Sequence, residues 1–354
     1  MEFVADQSRA DQLMDKWLSK DNSRAFYLDF EADNFHHYEE VLCTAQICYG
    51  GQFYLFDAIN LDLTDKFSEI LRTKPLWLHG CEYDLYLLQR FLKVTPGLLF
   101  DTQVAARLCG FRKFGYASLV EQICGRTLPK DSQRADWTKR PLPEVMIKYA
   151  ENDVRYLPQI SDLLVMRLDA LGRLDWFQES CKALTSSNRA ERIDLENRWR
   201  LNGSHKMKPA ELNFLKELYD WRDAEAKVAD RPSFKIINNN QLLDWASALA
   251  NGQELKLPKR ISDRRKNALD SAIAAARQVP EAEWPQKPER TGGPRVRIND
   301  EALQVLLDKR TTVAKEQKIE ASCIASRKVL ENVVKDPEDG PNAMLSWQRE
   351  LLDL

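Results

Sequence analysis

Apolar and polar side chains alternate at the start of this chain. Short runs rich in apolar and aromatic residues over Ala25–Asp29, Leu42–Tyr49 and Gln52–Phe56 predict three strands. The Gly50–Gly51 pair between the second and third fits a hairpin turn. A helical period runs over Leu63–Leu71, Pro75–Leu78 is a short apolar strand, and Asp84–Leu92 resumes as a helix. Strands interleaved with helices predict an α/β or mixed-sheet unit. From Ser161 onward strand signals nearly vanish. Lys208-Pro209-Ala210-Glu211 reads as a helix start leading into Leu212, Leu215, Leu218 and Trp221 on one face. A last helix is expected around Ala343–Leu352.

At 354 residues one core is not expected. The Pro-, Gly- and charge-rich stretch of about 280–296 is the best linker, and it divides the chain into an α/β unit of 1–185, a helical unit of 205–282 and a smaller helical unit of 296–354. With 44% hydrophobic and 30% charged residues, the composition is that of a soluble globular chain. No apolar run is long enough for a membrane span, and the first residues carry acids where a signal peptide carries bases, so the cytoplasm is expected. Seven scattered cysteines without a CxxC pair indicate neither a zinc site nor a disulfide framework. The net charge of -2 hides an asymmetry: residues 1–100 hold 9 basic and 16 acidic side chains, and residues 101–300 hold 35 and 28. A carboxylate cluster beside a phosphate-attracting surface fits that split, and so does uneven solvated charge.

The carboxylates sharpen the picture. On the first predicted strand a period of two puts Asp29 and Glu31 on one face, opposite Phe26, Leu28 and Phe30. Two adjacent acids repel unless a cation neutralises them, so the pair is either a divalent-metal site or a strand end showing two acids to water. Asp84 falls in the first turn of the helix after His79-Gly80, where it is either a site ligand or an ordinary capping acid. Further on, Tyr149 and Asp153 stand at i and i+4, one turn apart on one helix face.

Taken in order, D-x-E on a strand, Asp after H-G-x-x-x, and Y-x-x-x-D on a helix resemble the DEDD exonucleases, in the subgroup with Tyr in its third motif. LLFDTQVAAR (98–107), Ala117-Ser118-Leu119, KDSQRADWTKRP (130–141) and YAENDVRYL (149–157) resemble the ribonuclease D family. The stretch from Leu218 to Asp223, with Ala229-Asp230-Arg231-Pro232 and Leu242-Leu243, is similar to the HRDC domain of that family, and Ala325–Leu330 with Trp347–Leu351 is similar to its second HRDC-like domain. The resemblance implies a ribonuclease H-like exonuclease domain, a mixed sheet flanked by helices, followed by two small all-α HRDC-type domains. It implies that Asp29, Glu31, Asp84 and Asp153 hold two divalent cations, Mg²⁺ or Mn²⁺, with Asp29 touching both and Tyr149 orienting the attacking water. One departure stands out: Phe30–Tyr38 differs from the T-E-F-x-R-x-x-T-Y-x-P run associated with ribonuclease D. Asp33, His36 and His37 read as loop residues, His79 as a packed side chain, and Asp101 as structural support near the site.

A 3′→5′ exonuclease must hold a strand, with basic side chains for phosphates and aromatics for bases. Lys130, Arg134, Lys139 and Arg140 surround Trp137 just before the third motif. They form a strand-holding loop with Arg134 as its leading residue, or a solvated loop anchored by Trp137. Lys256, Lys259, Arg260, Arg264, Arg265 and Lys266 make a basic run in the helical unit, a nucleic-acid face or a solvated one. The expected function is a two-metal 3′→5′ exoribonuclease that trims RNA 3′ ends, such as tRNA precursors, releasing nucleoside 5′-monophosphates. The alternatives are a single-stranded DNA exonuclease and a noncatalytic RNA-binding protein on the same fold.

Overall fold

The computed structural model describes residues 1–129, 132–186, 197–257, 261–287 and 298–354. Six strands form one mixed sheet: β1 (Glu2–Val4), β2 (Phe26–Asp33), β3 (Val41–Tyr49), β4 (Gln52–Asp57), β5 (Pro75–Leu78) and β6 (Leu98–Asp101), in the order β1-β4-β3-β2-β5-β6. β3 and β4 are antiparallel, joined at Gly50 and Gly51, whose φ angles of +61° and +79° are the left-handed values such a hairpin needs. β5 runs parallel to both β2 and β6, and β1 parallel to β4. The central position of β2 follows from its side chains: Phe26, Leu28 and Phe30 are buried while Tyr27, Asp29 and Glu31 alternate on the other face.

Helices α1 (Gln7–Leu18) and α2 (Lys66–Thr73) cover the first face, where Trp17 sits edge-on to Phe26, Tyr49 and Tyr54 and stacks on Phe56. Helix α3 (Glu82–Leu87) adds Leu87 to that same core, and the second face carries α4 (Thr102–Leu108), α5 (Tyr116–Leu119), α6 (Glu144–Arg155), α7 (Leu157–Ala170) and α8 (Leu174–Ser186), with Trp77, Phe100 and Phe177 stacked between sheet and helix. No helix among the described residues is long and apolar enough to cross a membrane, and all seven cysteines are free.

The helical expectation for the second half is met by α9 (Pro209–Val228), α10 (Ser233–Ile236), α11 (Asn239–Ala250) and α12 (Asp263–Gln278). Glu211 closes the start of α9 by accepting the Lys208 amide at 2.6 Å. Leu212, Leu215, Leu218 and Trp221 meet Leu242, Trp245, Leu249 and Leu269 in a core of their own. Described residues 197–287 form this compact unit together with 33–41, the loop that leaves β2. The basic run is reduced here, because Arg264 and Arg265 both hold the buried Glu225; Lys259 and Arg260 lie outside the described residues, as does most of the expected linker.

The third expected domain is corrected. α13 (Asp300–Glu316), α14 (Ala321–Ile324), α15 (Arg327–Lys335) and α16 (Ser346–Leu352) belong to the compact unit of the nuclease, residues 1–32, 42–186 and 298–354. Leu303, Ile324, Leu330 and Trp347 share one core with Ile160, Leu164 and Phe177. Trp347 stacks on Trp176 at 4.8 Å, and Arg173 donates to the carbonyls of Leu108 and Gln317, both at 2.7 Å. Three of these four helices have nine residues or fewer, too short to enclose an apolar interior by themselves, so their faces close on α7 and α8.

Candidate active site

β2 carries Asp29 and Glu31 to the sheet face that α6 covers, and the i, i+4 spacing on α6 turns Tyr149 and Asp153 toward one side. Carboxylate oxygens of Asp29, Glu31 and Asp153 lie within 4.8 Å of one another. Asp84 arrives from the end of β5, through a turn in which Gly80 takes φ +66°, into the first turn of α3. It is buried, 6% exposed, with the Phe30 backbone amide and the charge of Asp29 beside it. Four acids thus come from one strand, β2, and two helices, α3 and α6, and among the described residues no lysine or arginine forms an ion pair with any of them.

Their titration follows from that. Burial pushes Asp29 up to about 7. Burial also raises Glu31, with Asp29, Asp153 and Asp84 adding like-charge repulsion; Asp153 is raised by burial and then by Asp29, and Asp84 by burial, Asp29 and Asp101. Asp153 Oδ2 is buried without a hydrogen-bond partner. An orphaned carboxylate oxygen among oxygens this close suits a hard divalent cation, which takes oxygen ligands and removes the repulsion. Tyr149 is raised above its ordinary value by burial and then by Asp153, Glu31 and Asp29, so its hydroxyl keeps its proton at neutral pH.

The surroundings hold these groups in place. Asp101 accepts the amides of Gly80 and Cys81 at 3.0 and 2.9 Å and caps α4 through Gln103 at 2.6 Å, which ties the turn before Asp84, as its reading as structural support requires. Thr102 Oγ1 donates to the Leu78 carbonyl at 3.0 Å, so His79 Nδ1 donates to Thr102 at 2.9 Å: a packed histidine. Tyr116 was not singled out in the sequence. Its buried hydroxyl donates to the Asn152 carbonyl at 2.7 Å and accepts the Tyr156 amide at 3.3 Å, locking α6 beside Asp153. No spacing rule marks it. Also invisible in the sequence is a cavity of about 380 Å³ lined by Tyr116, Ser118, Gln133, Tyr149, Asn152 and Asp153.

The expected strand-holding loop is corrected at two residues. Trp137 is 1% exposed, its ring centroid 6.1 Å from that of Tyr149, and it has no face open to a base. Arg140 is held by Asp57 through two bonds of 2.8 and 2.6 Å and donates to the carbonyls of Trp137 and Cys43 at 2.8 and 3.0 Å. Its guanidinium is committed to a buried carboxylate and leaves no fork for a phosphate. Burial alone would raise Asp57, and the hydrogen bonds from Arg140 and Asn60 more than offset it, so that it titrates below the usual range. Arg134 and Lys139 remain exposed; Lys130 lies outside the described residues.

Residues 1–169 match the 3′-5′ exonuclease family model DNA_pol_A_exo1. A ribonuclease D of Xanthomonas oryzae pv. oryzae is 30% identical over 340 residues, 92% of this chain and 90% of the relative, and a ribonuclease D of Acidiphilium cryptum is 32% identical over 327 residues, 88% and 81%. Among solved structures, Escherichia coli RNase D, described as an exoribonuclease involved in structured RNA processing, aligns with a TM-score of 0.73 at 24% identity, over 99% of this chain and 96% of that one. That likeness establishes the ribonuclease H-like exonuclease fold, with a helical C-terminal region.

Proposed function

Because this chain belongs to the ribonuclease D family and is a 3′→5′ exoribonuclease, we propose that Asp29, Glu31, Asp84 and Asp153 hold two divalent cations, Mg²⁺ or Mn²⁺, and that RNA 3′ ends are trimmed there to nucleoside 5′-monophosphates. The observation that carries this reading is the convergence of three carboxylates within 4.8 Å with no counter-charge among the described residues. Bound divalent ions supply a hydroxide-like nucleophile at neutral pH and offset charge on the attacking and leaving oxygens. Asp29, whose charge acts on each of the other three acids, would serve both ions. Tyr149, protonated, donates a hydrogen bond that orients the attacking water; with its raised pKa it is not the base. Tyr116 and Asp101 keep α6 and α3 at the spacing the acids need. The cavity beside Tyr149 has room for about one nucleotide unit. Exposed Arg134 meets the phosphates upstream.

Structured RNA, tRNA precursors included, is the proposed substrate class in the cytoplasm, with residues 205–282 as an HRDC-type accessory unit. Single-stranded DNA is the rival polymer, and a 2′-hydroxyl at the 3′ end separates the two. The test is a 5′-labelled RNA and the matched DNA, each with Mn²⁺, with Mg²⁺ and with EDTA, beside Asp29→Asn. A metal-dependent ladder shortening from the 3′ end of the RNA, lost in the variant, is expected. Full activity in Asp29→Asn, or cleavage in EDTA, refutes the metal site.

A further inference from the structure

The loop of residues 33–41, where the sequence leaves the ribonuclease D pattern, belongs to the helical unit and brings an aromatic cluster with it. Phe35 lies against Phe234 of α10 with ring centroids 5.4 Å apart, and the rings are 40% and 46% exposed. The ammonium of Lys235 sits 4.4 Å from the Phe35 centroid, and the His36 ring is edge-on at 5.6 Å. Two phenylalanines standing in water beside a cation is an arrangement that burial would ordinarily remove.

A polar frame keeps them there. Asp33 accepts the amides of His36 and His37 at 3.2 and 3.0 Å, and its carboxylate meets His36 Nδ1 at 2.6 Å. Asp230 meets His37 Nδ1 at 2.7 Å and accepts the Tyr38 amide at 3.1 Å. The Tyr38 hydroxyl donates to Asp223 at 2.7 Å, and Ser233, at the start of α10, donates to the same carboxylate at 3.4 Å. The three carboxylates around the cluster are thus all hydrogen-bonded into the frame, while the Lys235 charge faces an open ring.

Resting on the exoribonuclease reading above, we propose that Phe35, Phe234 and Lys235 form a stacking platform for the single-stranded 3′ tail of the RNA, the rings taking bases and Lys235 a phosphate. Aromatic faces stack on any base, and a neighbouring cation matches the backbone. Chain continuity sets a bound: Phe35 is four residues beyond Glu31, so the two Cα atoms are at most about 14 Å apart. That is the length of roughly four stacked nucleotides. A diribonucleotide has only one nucleotide beyond the one cleaved, about 3.4 Å of stacked length, so it offers the platform less than a longer tail does.

The experiment compares a single-stranded oligoadenylate of roughly twelve nucleotides with a diribonucleotide, in the native enzyme and in Phe35→Ala/Phe234→Ala. The longer RNA is expected to lose about tenfold or more in kcat/KM through KM, at least fivefold beyond any loss on the diribonucleotide. Phe35→Trp restores the longer RNA, which a merely structural role would not allow. Lys235→Gln lowers the salt dependence of binding by about one phosphate contact. Binding of the same oligonucleotide by anisotropy in the Asp29→Asn background reads the platform without cleavage, so failure of the metal reading and failure of the platform are told apart. Native affinity in the double variant, or equal losses on both lengths, overturns the platform.

Discussion

Two buried charge clusters in the nuclease unit are built from the same residue type and differ in what surrounds them. At Asp57 the carboxylate meets the guanidinium of Arg140 in a two-bond pair, and its pKa falls. At Asp29, Glu31, Asp84 and Asp153 the carboxylates meet one another, and every pKa rises. The first is electrostatically complete and fastens the loop behind Trp137 to β4. The second has no counter-charge among the described residues, and the proposed cations would supply it. Buried acid alone does not mark function; buried acid without a counter-charge does.

Breaking the complete pair should have the largest effect on stability. Arg140→Ala leaves Asp57, 1% exposed at its side chain, charged and unpaired, and an expected loss of about 3–5 kcal/mol would appear in a urea titration. Removing Asp57 as well should cost less than the two single losses added. A double variant as unstable as their sum would mean that the two groups act independently.

The pH dependence should separate the clusters by sign. In EDTA the native acid cluster favours protonation: Asp29 contributes its full stability below the unfolded carboxylate range near 4 and loses it as pH climbs toward 7. Asp57 behaves oppositely, contributing above that range and losing its share as pH falls through its lowered value. Asp29→Asn should therefore flatten the alkaline side of the metal-free stability curve, by up to about 4 kcal/mol at pH 8, and leave the acid side unchanged. Adding Mn²⁺ should raise the melting temperature of the native protein at pH 8 and do little for Asp29→Asn. An equal rise in both would place the ion elsewhere. The smallest effect belongs to an exposed charge: Arg134→Ala should change stability by less than about 0.5 kcal/mol and reduce the salt slope of RNA binding by about one. An unchanged slope would remove Arg134 from the strand path.

Much of this was legible beforehand. The alternation Phe26, Leu28, Phe30 against Asp29 and Glu31 identified both the buried face of β2 and its acids, because side-chain direction in a strand depends only on the parity of the position. Tyr149 and Asp153 were legible for the same local reason on a helix. The loop before the third motif was not, since a cluster of Lys and Arg reads alike whether it faces a phosphate or a buried carboxylate. The partner of Arg140 lies 83 residues away in the chain. Likewise, the apolar period of the C-terminal helices announced a buried face without saying against what.

The sequence by itself determined where strands and helices run and which acids share a face, properties set within a turn or two of chain. Tertiary structure alone decided that Arg140 closes on Asp57, that Trp347 stacks on Trp176 and makes the last helices part of the nuclease core, and that Phe35 stands against Phe234. Such pairings depend on loop closure between distant segments, and residue type constrains them only once the fold has brought the two sides together.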